Sequence, residues 1–349
     1  MKKGRKNLLI FFLLAVLSLT LLGCSFTPYQ QTGVQNNNPM VADSHRHSKP
    51  LEGIFVTILT GGSSGVYFPL GGALAGIYKE KLGASATFQS TSASAENCFK
   101  LARGEGELAF AMADTVADAY YGEGRFQGNA LKNLRAVSAM YSNYFHVVTT
   151  AENNISSLKS LRGKRVAVGA HGSGTEINAK RVLNAAGITY AEIEEQFLSF
   201  AEAIQGLQEG TIDVAILSSG IPNAAISKLS QTEEIILIPI QSELVSRLQQ
   251  QYPAYNIGAI PGGTYEGIAN DVITITVKNL LITHEGLSDE MVYQLTKAFF
   301  ENLDTLRETH SAANSITLEK ALEGLPIPLH PGAKRYYQEQ GILRSGVSR

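Results

Sequence analysis

The chain reads as an α/β protein of two similar lobes joined by a two-strand hinge. Three observations predict it. Short apolar β-type runs alternate with helical patterns along the body of the chain. A pattern Leu-x-x-Gly-x-x-acid-x-Ala occurs at the same stage of two successive sets of elements, as Leu101 to Ala109 and as Leu207 to Ala215. Two β-rich runs, 134–150 and 272–282, are much longer than the rest, and each stands where the chain would pass from one set to the other.

The first segment is a leader rather than part of the fold. Lys2, Lys3, Arg5 and Lys6 precede an apolar run over 8–22, short for a membrane span and suited to a signal-peptide core. It ends in Leu21-Leu22-Gly23-Cys24, which is similar to the lipobox of bacterial lipoproteins. Residues 1–23 are therefore expected to be a lipoprotein signal peptide and Cys24 a lipidation site. The alternative is an uncleaved N-terminal anchor. Either way the body is expected outside the cytoplasm, lipid-anchored to a bacterial membrane in the first case. Residues 24–50 are rich in Gln, Asn, Pro and Ser without apolar periodicity, and read as a flexible tether. His45 and His47 fall in it and read as solvated linker.

In the first set, strands are expected at 54–59, 85–90 and 108–112, with helices at 67–82, 95–103 and 115–121. The second set has strands at 165–168, 213–217 and 235–238, and helices at 175–186 and 200–208. A helix over 288–307 follows the return segment, with Ser288 as N-cap and Asp289 and Glu290 in its first turn. Lobe 1 is then 51–143 with 276–349, and lobe 2 is 144–275. The ligand cleft lies between them, at the strand ends where the Gly-rich turns point. Cys98, the second of two cysteines, reads as a small buried apolar residue in a helix.

Charge excludes one class of partner. Without the four basic residues of the leader, 31 acidic residues outnumber the remaining Lys and Arg, and no basic cluster is left. Nucleic acid is not an expected partner. No His, Cys and carboxylate set has metal-ligand spacing, so neither a metal nor a cofactor is expected.

The turns carry the chemistry. Gly61-Gly-Ser63-Ser-Gly65, between a strand and a helix, fits G-x-S-x-G, which would make Ser63 a hydrolase nucleophile. The strand would be first in the fold rather than mid-sheet, and His146, His171, His284, His310 and His330 stand in no diagnostic context. The hydrolase reading is the minor one, and no enzyme activity is expected. Gly169 to Thr175 has the look of a phosphate loop, but Glu176 stands where the phosphate-gripping lysine would continue.

What remains is a set of turns offering neutral donors at helix N-termini. Gly62 and Gly65 lie in the first turn. Ser92, Ser94 and Asn97 surround the next helix start. Ser173 and Thr175 do the same in the second set, with Gly172 and Gly174 allowing close backbone approach. Ser218 and Ser219 follow a later strand. Each alone reads first as helix capping; together they suit a small anion or zwitterion. Glu96, Asp114 and Glu176 are the carboxylates that could meet an ammonium group.

Six segments in this order carry a family likeness: Gly61-Gly-x-x-Gly-x-Tyr-Phe-Pro69, Thr91-x-x-Ser94-x-x-Asn97, Gly172-Ser-Gly-Thr175, Ser219-Gly-Ile-Pro222, Ile260-Pro-Gly-Gly-Thr-Tyr265 and Leu329-His-Pro-Gly-Ala333. Together they span most of the body, and the chain resembles the TAXI branch of TRAP-transporter solute-binding proteins. The resemblance implies a two-lobed periplasmic-binding-protein fold of type II. It implies a monomeric receptor that hands a small organic acid or acidic amino acid, such as glutamate, to TRAP membrane permease subunits. Gly62, Gly65, Tyr67, Ser92, Ser94 and Asn97 would hold the ligand from lobe 1. Gly172, Ser173, Gly174, Thr175 and Ser219 would close from lobe 2, Tyr265 would form a lid, and Asp114 would meet an ammonium. One departure stands out: Met112 occupies a place where the family pattern has Gln. A sensor that presents its ligand to a signalling partner is the alternative function.

Overall fold

The computed structural model describes residues 49–343. The leader, Cys24 and the tether up to residue 48 lie outside the described residues. Among those described, no helix is long and apolar enough to cross a membrane.

The first set of elements runs β1 (Phe55–Leu59), α1 (Tyr67–Leu82), β2 (Ser85–Gln89), α2 (Ser94–Ala102), β3 (Leu108–Met112) and α3 (Ala113–Tyr121). The long strand β4 (Leu134–Thr150) follows. The second set is β5 (Arg165–Ala167), α4 (Gly174–Ala185), β6 (Glu194–Gln196), α5 (Phe200–Gln208), β7 (Val214–Ser219), α6 (Ala224–Ser230), β8 (Ile235–Leu237), α7 (Ser242–Gln251) and β9 (Tyr255–Ile260). The return strand β10 (Val272–His284) leads into α8 (Asp289–Glu301), α9 (Leu303–Thr309) and α10 (Pro331–Glu339).

The strand order is β2-β1-β3-β10-β4-β7-β5-β6, with β8 paired to β4 and β9 to β10. The parallel trios β2-β1-β3 and β7-β5-β6 lie on either side of the antiparallel pair β10-β4. The C-terminal half of β10 pairs with β3, and β4 from Tyr144 to Val148 pairs with β7. The two long strands thus cross from one lobe to the other, as the two-strand hinge requires. Neither contains Gly or Pro.

Strand parity explains why the short runs are apolar throughout. Val56, Ile58, Leu108 and Phe110 face a core shared with α1, α8 and α10, while Leu59, Ala109 and Ala111 face one shared with α2 and α3. In lobe 2, Val166, Val214 and Ile216 face α4 and α7, and Ala167, Ala215 and Leu217 face α5 and α6. A parallel sheet covered on both faces buries alternate residues in opposite layers, so no polar face survives in the sequence.

The repeated pattern has a structural meaning. Glu107, its acid in lobe 1, accepts the backbone N–H of Thr57 in β1 at 2.5 Å, and Asp213 accepts that of Arg165 in β5 at 2.8 Å. In both lobes the acid entering one strand pins its parallel neighbour.

Two expectations are adjusted, and that for Cys98 is met. The helix at 288–307 starts at the Ser288 cap, which accepts the Met291 N–H at 3.2 Å. It is interrupted at Asn302, whose backbone leaves the helical region (φ −128, ψ 32), giving α8 and α9. Strands β6 and β9 and helices α6, α7 and α10 had no counterpart in the sequence reading. Cys98 is fully buried in α2, where burial pushes its thiol pKa up.

Candidate functional site

A cavity of about 250 Å³ lies between the lobes. The first turns of α1, α2, α4 and α5 all reach it, through Gly65–Tyr67, Ser92–Ser94, Ser173–Thr175 and Ser199–Ala201. Four helix N-termini therefore point at one space, two from each lobe, each bringing free N–H groups and the positive end of a dipole. Pro69 in the first turn of α1 costs nothing there, since an N–H at that position has no partner within the helix.

No charged side chain lines this cavity. Its walls are backbone, hydroxyls, Asn143 and the apolar surfaces of Val66, Met112, Phe200 and Tyr141. Most of the hydroxyls have fixed roles. Ser173 caps α4 by accepting the Glu176 N–H at 3.0 Å, and Ser199 caps α5 by accepting that of Glu202 at 3.3 Å. Thr175 accepts the Ser218 N–H at 3.3 Å, and Ser219 accepts the Asn223 amide at 3.0 Å. Ser94 accepts the Met112 N–H at 3.1 Å. The Tyr141 hydroxyl is buried with no partner.

The floor is a chain of amides through the crossing strands. Tyr67 donates its hydroxyl to Asn279, Asn279 donates to Asn143 at 2.8 Å, and Asn143 donates to the Ser218 carbonyl at 3.1 Å. It links α1 of lobe 1, both hinge strands and β7 of lobe 2. Burial pushes the Tyr67 phenol pKa up, so it stays a neutral donor.

Of the residues singled out in the sequence, Gly62, Gly65, Tyr67, Ser92, Ser94, Ser173, Gly174, Thr175 and Ser219 line the cavity, as does Ser63. Four do not. Asn97 is a strut: its amide donates to the Thr60 and Phe110 carbonyls at 2.7 and 2.8 Å, tying α2 to the ends of β1 and β3. Gly172 gives its carbonyl to the Glu96 N–H across the lobe boundary at 3.3 Å. Tyr265 is not a lid. It is buried in lobe 2, accepting the Asn223 N–H and lying 2.9 Å from His146 Nε2. Burial lowers the His146 pKa to about 4, so the imidazole is neutral and its Nε2 accepts the Tyr265 proton.

Asp114 is the fourth, and its charge is already matched. Arg181 of α4 reaches Asp114 at 3.0 Å and Asp118 at 2.6 Å. Asn178 and Tyr255 donate to the same Asp114 oxygen at 2.6 and 3.1 Å. All three ionic side chains are nearly buried, and burial pushes the Asp118 carboxyl above the usual range despite the arginine. The guanidinium also stacks on Tyr252, 3.9 Å from the ring centroid. This cluster joins α3 of lobe 1 to α4 and β9 of lobe 2 beside the cavity.

The lobes approach closely at Gly174. A Cβ there would collide with the Met112 methyl and lie 2.8 Å from the Ser94 oxygen. Ala93, which lines the cavity just before α2, holds a positive φ of 76°. The sequence reading missed Tyr141, Asn143, Ser199 and Phe200. A capping box, Ser199-x-x-Glu202, was the available signal for the last two.

Two α/β/α lobes, two crossing strands and a closed cleft between helix N-termini define the architecture of the two-lobed periplasmic solute-binding proteins. Two solved structures agree on the fold. A protein of Bordetella bronchiseptica RB50 matches at a TM-score of 0.53 and 13% identity, over 83% of this chain and 99% of that one. PhnD1 from Prochlorococcus marinus, solved with methylphosphonate, matches at 0.51 and 12%, over 84% and 99%. The periplasmic aliphatic sulphonate binding protein SsuA from Escherichia coli is similar at 0.42 and 12%, over 75% and 77%. The chain belongs to the NMT1-like family, whose model matches residues 58–341.

Proposed function

We propose that this protein is the extracytoplasmic solute receptor of a TRAP-type transporter, of the TAXI kind. It is a monomer tethered through lipid on Cys24, and it delivers a small organic acid or acidic amino acid, glutamate-like in size, to the membrane permease. It performs no chemistry on the ligand. The observation that carries this reading is the convergence of four helix N-termini, two per lobe, on one uncharged cavity. An anion there gains contacts from both lobes only when they are closed, and differential affinity of this kind shifts an open–closed equilibrium. Going from mostly open to mostly closed takes about 5 kcal/mol, within reach of several charge-assisted hydrogen bonds. Against a hydrolase, no histidine lines the cavity beside Ser63, and the nearby His146 is engaged by Tyr265.

The test is a thermal-shift and calorimetric screen of carboxylates and amino acids. Binding should be lost in Gly174→Ala, which props the lobes apart, while the fold is retained. Uptake through the permease should follow an ion gradient and not ATP. A full panel without a hit would remove the receptor reading; ATP-driven uptake would remove its TRAP part.

A further inference from the structure

The hydrogen-bond directions in the cavity say more than its lack of charge. Ser173, Thr175, Ser199 and Ser219 each accept an N–H and have no acceptor of their own, so each holds a hydroxyl proton free for the cavity. The unpartnered Tyr141 hydroxyl adds a fifth. Acceptors run the other way. The Gly61 carbonyl takes the Ser90 hydroxyl at 2.9 Å, and the Gly62 carbonyl takes the Gly65 N–H at 3.0 Å. The Ser64 carbonyl takes the Asn223 amide at 3.1 Å, and the Ala170 carbonyl the Ser173 N–H at 3.0 Å. The Ser218 carbonyl takes Asn143. The carboxylates beside it do not line the cavity and are paired: Asp114 with Arg181 through one oxygen, its other oxygen being buried without a partner, Glu96 with the Ser92 N–H at 2.7 Å, and Glu176 with Arg125 at 3.3 Å.

Free hydroxyl donors and the lack of a lining carboxylate define the complementary ligand. An ammonium group would enter a space lined by no carboxylate and faced by the positive ends of four helix dipoles, so its charge would be desolvated without a counter-charge. We infer that the cavity selects organic oxyanions without an ammonium group: carboxylates, including keto and hydroxy acids, and by the same chemistry sulfonates or phosphonates. The inference rests on the receptor reading and narrows it, since it excludes glutamate and other amino acids as the preferred ligand. Met112 sharpens the selection. Its thioether, 2% exposed and lining the cavity between Ser94 and Gly174, offers almost no hydrogen bonding where an amide or carboxylate oxygen could serve an ammonium.

Matched pairs differing in one amino group test it by calorimetry on the full chain: 2-oxoglutarate or glutarate against glutamate, pyruvate or lactate against alanine, ethanesulfonate against taurine, methylphosphonate against aminomethylphosphonate. Within whichever pair binds, the member without nitrogen is expected to bind at least about tenfold tighter. Equal or tighter binding of the amino member overturns the inference and leaves the receptor reading standing. No binding in any pair overturns both. In Met112→Glu, which supplies a carboxylate, the ratio within the pair should move toward the amino member; an unchanged ratio in a variant that melts like the parent counts against the role given to Met112.

Discussion

Two regions join the lobes side by side, and they are built from opposite materials. The cavity presents hydroxyls, backbone and apolar surface without a charge. The cluster beside it packs Arg181 between Asp114 and Asp118, with Asn178 and Tyr255 completing it. Both bridge α4 of lobe 2 to lobe 1. The difference teaches how closure can be divided. The charged cluster pairs its ions within the protein, with one Asp114 oxygen left unpartnered, so its ion pairs contribute to the closed state whether or not ligand is present. The neutral region has hydroxyl protons without acceptors, which the proposed anion would complete. A fixed cation in the cavity would hold an anion even with the lobes apart; donors shared between lobes reward closure itself.

The largest test of this division is Arg181→Ala. It leaves two carboxylates in a nearly buried site without their partner, and the expected loss is about 3–5 kcal/mol in chemical denaturation. Adding Asp114→Asn and Asp118→Asn should recover part of it. A loss under about 1 kcal/mol would mean that the cluster is not a clasp.

Acid separates the regions next. His146, behind the cavity, is neutral in the fold with its pKa lowered to about 4 by burial. The unfolded chain binds that proton near pH 6.5. This contribution to stability is whole above pH 6.5 and is lost as pH falls toward 4, by about 3 kcal/mol. His146→Gln should flatten that part of the stability profile between pH 4 and 6.5. An unchanged slope would take His146 out of the account.

The smallest effect is the most discriminating. Tyr141→Phe removes a buried hydroxyl that has no partner without ligand, so the unliganded protein should gain about 1 kcal/mol while ligand affinity falls about tenfold. Tyr78→Phe is the control: its hydroxyl is also buried and unpartnered but lies away from the cavity, so stability should rise with affinity unchanged. A parallel response of the two variants would show that Tyr141 does not meet the ligand.

The legible parts of this molecule are those fixed by local chemistry. Apolar runs of strand length, Gly and Ser turns and the Ser288 cap appear in the sequence because each is decided within a few residues. The repeated Leu-x-x-Gly-x-x-acid-x-Ala was visible as an echo, and the Glu107 and Asp213 bonds supply its cause. Helix α7 went unread because a run as polar as Ser242–Gln251 has only Leu244, Val245 and Leu248 buried. The roles of Asp114 and Asn97 were not legible for a different reason. Arg181 is 67 positions from Asp114, and Phe110 is 13 from Asn97. A polar residue beside a Gly-rich turn looks the same whether it faces a ligand or a partner that only the fold brings near.

The two crossing strands carry one more consequence. Neither β4 nor β10 contains a glycine or proline, and their pairing is interrupted only by register shifts between Lys278 and Leu280 and between Leu281 and Ile282. No residue in them is conformationally freer than its neighbours, so relative motion of the lobes has to be shared among many small torsions rather than gathered at one pivot. Mutational scanning of these strands should find no single position whose change alone frees or freezes the relative motion of the lobes.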